Sequence, residues 1–271
     1  MPFNLTTFTK SLNTAFKQLK KTQSDALSIE IAANFTAGMT AAEKHTSIKS
    51  AEPEDPEEDG LTTEEKAVIA LLTAQYLGSL TKFNKAAKAQ ILSKVKELVQ
   101  AGSDHDEIKK YVDVVLSGKD IITIDNVGKI RKEIYVDKDL KISEVEKVIT
   151  RKFGASIDTY SELLGEQASH ASYEAGRKAQ YQRQGFENWV FVGPADEKAR
   201  PAHVALIGCV FEWGTDQSEY AEQVLKEPHC RHRAQVYYND ETKDTKKEVW
   251  DKLKNDAGLY WDKSKNEWSL P

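Results

Sequence analysis

The spacing of apolar residues changes at Gly185, and this change limits the possible folds more than any other feature of the sequence. Before Gly185, apolar residues recur at intervals of three and four, which is the period of a helix face. After it, short apolar runs alternate with glycine and proline, as strands and turns do. This order predicts an α+β protein with a mostly helical N-terminal two-thirds. A small antiparallel β module with a C-terminal hairpin follows.

Residues 1–50 are predicted to form an amphipathic helical arm. Phe8, Leu12, Phe16 and Leu19 are spaced by four, four and three residues, so a helix places them on one face. Two interpretations stay open for this face. It docks on its own domain, as most amphipathic helices do, or it binds a partner.

Residues 51–62 are predicted to be an acidic flexible linker. The run AEPEDPEEDG contains six acids and two prolines, and no apolar residue larger than alanine. Such a run cannot bury enough apolar surface to offset the entropy lost on ordering. Thr62 or Thr63 is then expected to cap the next helix, with Glu64 and Glu65 in its first turn.

Residues 63–155 are predicted to be a helical region, because apolar stripes at helical spacing run through most of it. Gly102 and Gly118 are expected to end two of its helices. Residues 121–124, with the sequence IITI, are also compatible with a short strand, and four residues do not decide between the two structures.

Residues 156–239 are predicted to form a separate module. It begins with a long helix that ends at Gly185, and the alanine-rich second half of this helix suits close contact with another helix. A short helix or turn opened by Asp196 is expected between the first two of three strands. The strands are predicted at residues 189–192, 209–213 and 234–238. Residues 240–271 are predicted to be a C-terminal helix followed by a hairpin tail.

Composition and charge exclude several classes of protein. The chain has 271 residues, a net charge of −5 and two cysteines. Its first residues lack the apolar core of a signal peptide, and no run approaches the roughly 18 apolar residues of a membrane span. Two cysteines cannot form a disulfide framework. These features indicate a soluble protein made in a reducing cytoplasm, with no membrane partner.

Polar residues that carry chemistry are concentrated in residues 188–233. Asp196, Arg200 and His203 lie four and three residues apart, which places them on one face of a helix. Such a set can bind an anion, tune a histidine or act in acid–base catalysis. It can equally form a buried network in which Asp196 caps the segment and pairs with Arg200, and we predict this network. Pro201 disfavours a helical conformation in the residues before it. The sequence therefore does not decide whether the three residues share one helix face. The predicted network consists of Asp196, Arg200, His203, Cys230 and Arg231.

The same stretch contains residues that bind zinc in other proteins. The candidate ligands are His203, Cys209, Cys230 and His232, with His229 as an alternative to His232. Five residues lie between His203 and Cys209, whereas paired ligands of structural zinc sites are usually about two to four residues apart. We therefore predict no cofactor and keep zinc as the less favoured alternative.

Sequence motifs do not indicate an enzyme. No glycine-rich phosphate loop, Gly-x-Ser-x-Gly elbow or His-Glu-x-x-His motif is present, so no catalytic residue is assigned. A nucleophilic cysteine could be Cys230 or Cys209, and the spacing selects neither. Between residues 170 and 235, nine acids outnumber eight basic residues, which is unlike a nucleic-acid-binding surface. Non-specific contact with DNA through Arg231 and Arg233 remains an alternative interpretation.

Five features follow one another within residues 156–238. The long helix ends in YEAGRKAQYQRQG, the strand NWVFVG follows, and an Asp-x-x-x-Arg-x-x-His motif is formed by Asp196, Arg200 and His203. The apolar step ALIG and the closing motif PHCRH complete the series. In this order they resemble the minor head protein family of tailed phages, typified by the F protein of phage Mu.

Two positions depart from the family pattern, and most of the chain lies outside it. His232 occupies the place of the second cysteine in the family's closing Pro-x-Cys-Arg-Cys motif. The Thr-Glu pair often seen early in the family's long helix is absent. Residues 1–150 are not covered by the resemblance.

The resemblance implies a structural minor capsid, or head morphogenesis, protein. Such proteins lie inside the phage head near the portal and assist head assembly and genome packaging or delivery. The implied partners are the portal protein, a scaffold or major capsid protein, and packaged DNA bound non-specifically. The implied location is the virion interior after synthesis in the host cytoplasm. The alternative is a metal-dependent Cys/His hydrolase or nuclease-like enzyme, because some relatives carry toxin domains fused to this module.

Overall fold

The structure, a computed structural model, describes residues 4–47, 60–116, 122–131, 146–155, 157–238, 260–262 and 267–269. Most of the predicted acidic linker lies outside these residues, and so do Gly118 and the predicted helix that follows residue 240.

Helices and strands alternate in an α+β arrangement. The helices are α1 Leu5–Thr46, α2 Thr63–Gln100, α3 His105–Leu116, α4 Ile157–Arg183, α5 Pro201–Leu206 and α6 Asp216–Leu225. The strands are β1 Ile122–Arg131, β2 Glu146–Ala155, β3 Asn188–Val192, β4 Val210–Glu212, β5 Arg233–Val236, β6 Tyr260–Asp262 and β7 Glu267–Ser269. The predicted class is confirmed, since long helices come first and a three-stranded antiparallel sheet follows. No helix among the described residues is both long enough and apolar enough to cross a membrane.

The chain divides into two compact units. The first consists of the described residues of Met1–Ala33, Ala67–Gly128 and Thr150–Ser169. The second consists of those of Asn34–Lys66, Lys129–Ile149 and His170–Pro271.

The first unit is a helical core that covers the apolar face of α1. Leu12 and Phe16 of this face are buried, and Phe8 and Leu19 are partly buried. The rings of Phe83 and Tyr160 stack with their centroids 4.1 Å apart. Other buried side chains of this core are Leu27, Ile31, Leu72, Tyr76, Leu80, Ala87, Ile91, Val95, Ile157 and Leu164. The predicted helix is confirmed, but its apolar face docks on the chain itself, so α1 is not a free arm.

Local signals at helix ends are borne out where the structure describes them. The Thr62 amide donates to Glu65 Oε2 at 2.8 Å, and the Glu65 amide donates to Thr62 Oγ1 at 3.3 Å, which makes a capping box before α2. Gly102, with φ +78°, and Gly185, with φ +79°, adopt the left-handed conformation just after α2 and α4.

The prediction of one helical region over residues 63–155 is wrong in its last third. After α2 and α3 the chain forms β1 and β2, which pair as a two-stranded sheet. Both strand sequences, ITIDNVGKIR and EKVITRKFGA, contain β-branched residues, and such side chains fit a strand better than a helix. The helical stripes end with Val115 in α3.

In the second unit, α1 and α4 approach each other at two glycines. A Cβ atom on Gly38 would lie 2.0 Å from the carbonyl oxygen of Tyr173. A Cβ atom on Gly176 would lie 1.9 Å from the carbonyl oxygen of Phe35. The predicted close contact of the small-residue segment of α4 is therefore confirmed, and glycine rather than alanine makes it possible.

The three-stranded sheet is built around Trp189 in β3. Its strand order is β4-β3-β5, and Trp189 lies opposite Phe211 of β4 and Val236 of β5. The Trp189 indole donates to Ser218 Oγ of α6 at 3.0 Å, so the ring is buried with its polar group satisfied. Around it pack Phe191, Ala205, Leu206, Cys209, Phe211, Tyr220, Ala221, Val224, Leu225, Cys230 and Ala234. All three predicted strands are present, each shifted by one or two residues at its ends.

The C-terminal hairpin is confirmed as well. Strands β6 and β7 pair antiparallel, with Trp261 opposite Trp268.

The contact at Gly176 predicts opposite effects for two similar substitutions in α4. Gly176→Ala places a methyl group on the Phe35 carbonyl, and we expect it to lower the free energy of unfolding by about 2 kcal/mol or more. Gly165→Ala is the matched control, because the nearest atom to its Cβ is a side-chain oxygen 3.9 Å away. This substitution should raise the free energy of unfolding by about 1 kcal/mol through helix propensity. Urea unfolding of both variants measures the difference; equal effects would contradict the close contact.

Candidate functional site

The candidate site lies in the second unit, where two segments of chain meet beside the sheet. The first segment runs from the end of β3 into α5, and the second is the loop between α6 and β5. Pro201 occupies the first turn of α5 and Arg200 precedes it in extended conformation, with φ −85° and ψ 147°. This start places His203 in the first turn of α5. His232 directly precedes β5.

Two imidazoles and one thiol meet at this junction. His203 Nδ1 lies 3.3 Å from His232 Nδ1, and Cys230 Sγ lies 3.5 Å from His203 Nδ1 and 3.8 Å from His232 Nδ1. The residues are 2%, 3% and 8% exposed for His203, His232 and Cys230. We call these three residues the imidazole–thiol cluster.

The outer nitrogens of both rings point to oxygen acceptors. His232 Nε2 lies 3.0 Å from the carbonyl oxygen of Pro194, and His203 Nε2 lies 3.0 Å from Glu227 Oε2. A carbonyl or carboxylate oxygen only accepts, so we assign the proton of each neutral ring to Nε2. The two Nδ1 lone pairs then face each other and the thiol.

Two arginines form hydrogen bonds between the two segments, one on each side of the cluster. Arg200 donates to Glu227 Oε2 at 3.1 Å and to the Pro228 carbonyl at 2.6 Å. Arg231 donates to both carboxylate oxygens of Asp196, at 2.7 Å for Oδ2. This hydrogen bonding by the exposed Arg231 lowers the pKa of Asp196 to about 2.

These contacts correct two details of the predicted network. Asp196 pairs with Arg231 rather than with Arg200, and Arg200, not Asp196, is the residue that precedes α5. Asp196 instead lies in a turn, where its Oδ1 accepts from the Lys198 amide at 3.0 Å. The physical reason is Pro201, which forces extended backbone before it and so removes Asp196 from the helix face.

The structure also separates the candidate metal ligands. His203, Cys230 and His232 have donor atoms within 4.8 Å of one another, and the described residues contain no fourth member of this group. Cys209 lies elsewhere in the core, with its thiol donating to the Ala205 carbonyl at 3.6 Å. His229 adopts a left-handed conformation with φ 56° in the loop that leads to Cys230.

A cavity of about 470 Å³ opens beside the cluster. Its wall consists of Lys198, Ala199, Arg200, His203, His229, Cys230, Arg231 and His232. Three of these side chains are cationic, and acidic residues pair with two of them, Arg200 and Arg231. The cluster is therefore buried under most of its surface but borders a space that can hold small molecules.

Burial favours the uncharged forms of Cys230 and His232. It raises the pKa of the Cys230 thiol to about 11, so the thiol keeps its proton at neutral pH. Burial, assisted by His203, lowers the pKa of His232 to about 4. A nucleophilic cysteine needs the opposite arrangement, a thiolate stabilised by a nearby positive charge. Without a bound ion, the cluster does not activate Cys230.

Sequence reasoning missed three residues on which the site depends. Glu227 accepts from both Arg200 and His203, and it precedes the closing motif by one residue. Gly193 leaves room for the His232 ring, since a Cβ atom there would lie 2.3 Å from it. Glu174 of α4 lies under β5. Only Glu174 had a local signal, because it falls with Arg177 on the small-residue face of α4.

Glu174 and Arg177 tie α4 to β5 through the backbone of one residue, Ala234. Glu174 Oε2 accepts from the Ala234 amide at 3.0 Å, and Arg177 donates to the Ala234 carbonyl at 2.9 Å and to the Tyr181 hydroxyl at 2.7 Å. Both charged side chains are buried. Burial raises the pKa of Glu174 to about 7, although the Ala234 amide and Arg177 oppose the change.

Compared with models of known protein families, with curated proteins and with solved structures, the chain shows no match.

The raised pKa of Glu174 predicts a pH-dependent loss of stability. Between its unfolded pKa of 4.5 and its folded pKa of about 7, the unfolded carboxyl has lost its proton while the folded one keeps it. The free energy of unfolding therefore falls as pH rises through this window, by up to about 3 kcal/mol from this group. Glu174→Gln should remove that part of the pH dependence.

Urea unfolding from about pH 5 to about pH 8 measures this effect. Glu187→Gln is the control, because it neutralises an exposed carboxylate of the same unit and should keep the wild-type pH dependence. Identical pH profiles for wild type and Glu174→Gln would show that the carboxyl is ionised in the folded protein across the window.

Proposed function

We propose that this chain is a structural minor capsid protein of a tailed phage, which acts inside the head near the portal and assists head assembly and genome packaging or delivery. The proposal starts from the five ordered sequence features within residues 156–238 and their resemblance to the minor head protein family. One structural observation carries it further. Residues of two separate motifs, Arg200 and His203 in one and Cys230 and His232 in the other, meet: His203 Nδ1 lies 3.3 Å from His232 Nδ1 and 3.5 Å from Cys230 Sγ.

This arrangement favours a structural role over turnover. The polar residues of the signature use their hydrogen bonds on one another and on the loop that contains Glu227 and Pro228. Without a bound ion the thiol remains protonated, so it supplies no nucleophile. A network of this kind fixes the loop between α6 and β5 against α5, which gives a partner protein a rigid surface to recognise.

The partners are the portal protein and a scaffold or major capsid protein. The face of α1 over residues 8–19, a candidate portal-binding surface, is covered within the first unit. We therefore propose that the contact uses the helices after the linker rather than this face. Packaged DNA is a further, non-specific partner, for which the exposed Arg233 is available, whereas Arg231 is engaged by Asp196.

The assembly role predicts that the chain is a component of heads. In a phage that lacks its own copy, the wild-type chain supplied in trans should co-purify with procapsids in a few copies per head. His203→Ala and Cys230→Ala disrupt the network and should lower both incorporation and the yield of filled heads. Quantitative mass spectrometry of purified heads measures incorporation; absence of the wild-type chain from heads would contradict the proposal.

A second function, metal-dependent hydrolysis, is favoured by the cavity beside the imidazole–thiol cluster and by the metal-ligating residue types of the cluster. An activity assay of the purified wild-type chain with divalent ions, on DNA, RNA and a small phosphodiester, distinguishes the two functions. The assembly role predicts no turnover. Hydrolysis that disappears in both His203→Ala and Cys230→Ala would establish the enzyme instead.

A further inference from the structure

We propose that His203, Cys230 and His232 together bind one divalent transition-metal ion, with zinc as the ion that suits them best. The ligand atoms are Nδ1 of both imidazoles and Sγ of the thiol. This inference concerns the chemistry of the cluster and does not depend on the assembly role. The metal set differs from the one expected from sequence, since Cys209 takes no part.

The distances within the cluster are those of a tetrahedral zinc site. Zinc–nitrogen bonds of about 2.0–2.1 Å and a zinc–sulfur bond of about 2.3 Å, at tetrahedral angles, place two nitrogens about 3.3–3.4 Å apart and nitrogen and sulfur about 3.5–3.6 Å apart. The observed separations are 3.3 Å between the nitrogens and 3.5 and 3.8 Å from each to sulfur. All three edges thus agree with these values to within about 0.2 Å.

The outer hydrogen bonds prepare both rings as ligands. A metal-binding imidazole usually donates its second nitrogen to a carboxylate or a backbone carbonyl, which fixes the tautomer and aims the lone pair. His203 does this to Glu227 and His232 does it to the Pro194 carbonyl. Both Nδ1 lone pairs consequently point at the same place.

Without a cation, the hydrogen bonds of the cluster do not balance. Two neutral rings present two Nδ1 acceptors, and the thiol of Cys230 has one proton to donate. One buried acceptor is left over. A metal ion satisfies both lone pairs and the sulfur at once.

Three protein ligands leave one coordination position. The three residues also line the cavity, so a water molecule from the cavity can complete the tetrahedron. Binding replaces the thiol proton by the metal: the S–H bond breaks, a metal–sulfur bond forms and the proton passes to solvent. No oxidation or reduction takes place.

Ligand spacing explains why sequence reasoning ranked this site low. Cys230 and His232 are two residues apart in the segment before β5, where both are buried and Arg231 between them is exposed. His203 comes from α5, far upstream. A single close pair plus one distant histidine lacks the paired spacing at both ends that identifies zinc sites from sequence.

Metal titration of the full, untagged chain tests the proposal. After removal of metal with a chelator, Zn²⁺ and Co²⁺ are added separately and followed by calorimetry and absorption spectroscopy. We expect one ion per chain, the visible spectrum of tetrahedral cobalt and a cobalt–thiolate charge-transfer band. Binding should release protons, because a ligand thiolate replaces the protonated thiol.

Matched variants assign the ligands. Cys230→Ser should abolish the charge-transfer band and weaken zinc binding by more than the roughly 10- to 100-fold expected for loss of an outer hydrogen-bond partner. Cys209→Ser removes the other buried thiol and should leave the band and the affinity unchanged. Glu227→Gln should weaken binding by about 10- to 100-fold while keeping the band.

Circular dichroism establishes that each variant is folded, and if Cys230→Ser is unfolded, Glu227→Gln and Cys209→Ser carry the comparison. A folded wild-type chain that binds no stoichiometric Zn²⁺ at micromolar concentration would overturn the proposal. Loss of the thiolate band in Cys209→Ser would overturn the ligand assignment. Neither result depends on whether the chain enters phage heads, so failure of the assembly role is detected separately.

Discussion

The second unit depends on the meeting of two buried imidazoles and one thiol. His203 reaches this point from α5, whereas Cys230 and His232 reach it from the loop before β5. Other features of the unit make the meeting possible: Gly193 has no side chain to obstruct the His232 ring, and Pro201 starts α5 in the required place. The cluster thereby anchors the loop between α6 and β5. This loop has few apolar residues, so hydrophobic packing alone would stabilise it little.

Charge balance explains how so many polar groups stay buried in a small module. An isolated buried charge costs several kcal/mol, so native structures pair such groups or keep them neutral. The module uses both solutions. Arg177 is held by an acid, a hydroxyl and a carbonyl, and Glu174, His232 and Cys230 are shifted by burial toward their neutral forms. A bound cation changes this balance at the cluster, since it converts the neutral thiol into a ligand thiolate.

Sequence reasoning predicts the features that local periodicity and helix capping determine. It does not predict contacts between residues that are far apart in the sequence. The faces containing Leu12 and Phe16, and the helix end at Gly185, follow from spacing of three and four and from the left-handed tolerance of glycine. The sequence left a short strand at residues 121–124 open, and residues 122–124 lie in β1. The rest of β1 and all of β2 were missed because charged residues interrupt any apolar pattern. In the site, the partners come from other segments, so sequence reasoning paired Asp196 with Arg200 instead of Arg231 and missed Glu227.

Stability with and without metal tests the central claim, that the cluster holds the module together around an ion. Urea unfolding of the wild-type chain and of Cys230→Ser is measured in a chelator and in zinc at about 100 times the dissociation constant. Zinc should then raise the free energy of unfolding of the wild type by about 2.7 kcal/mol and leave the variant unchanged. An equal response of the two proteins, or none in the wild type, would contradict the account.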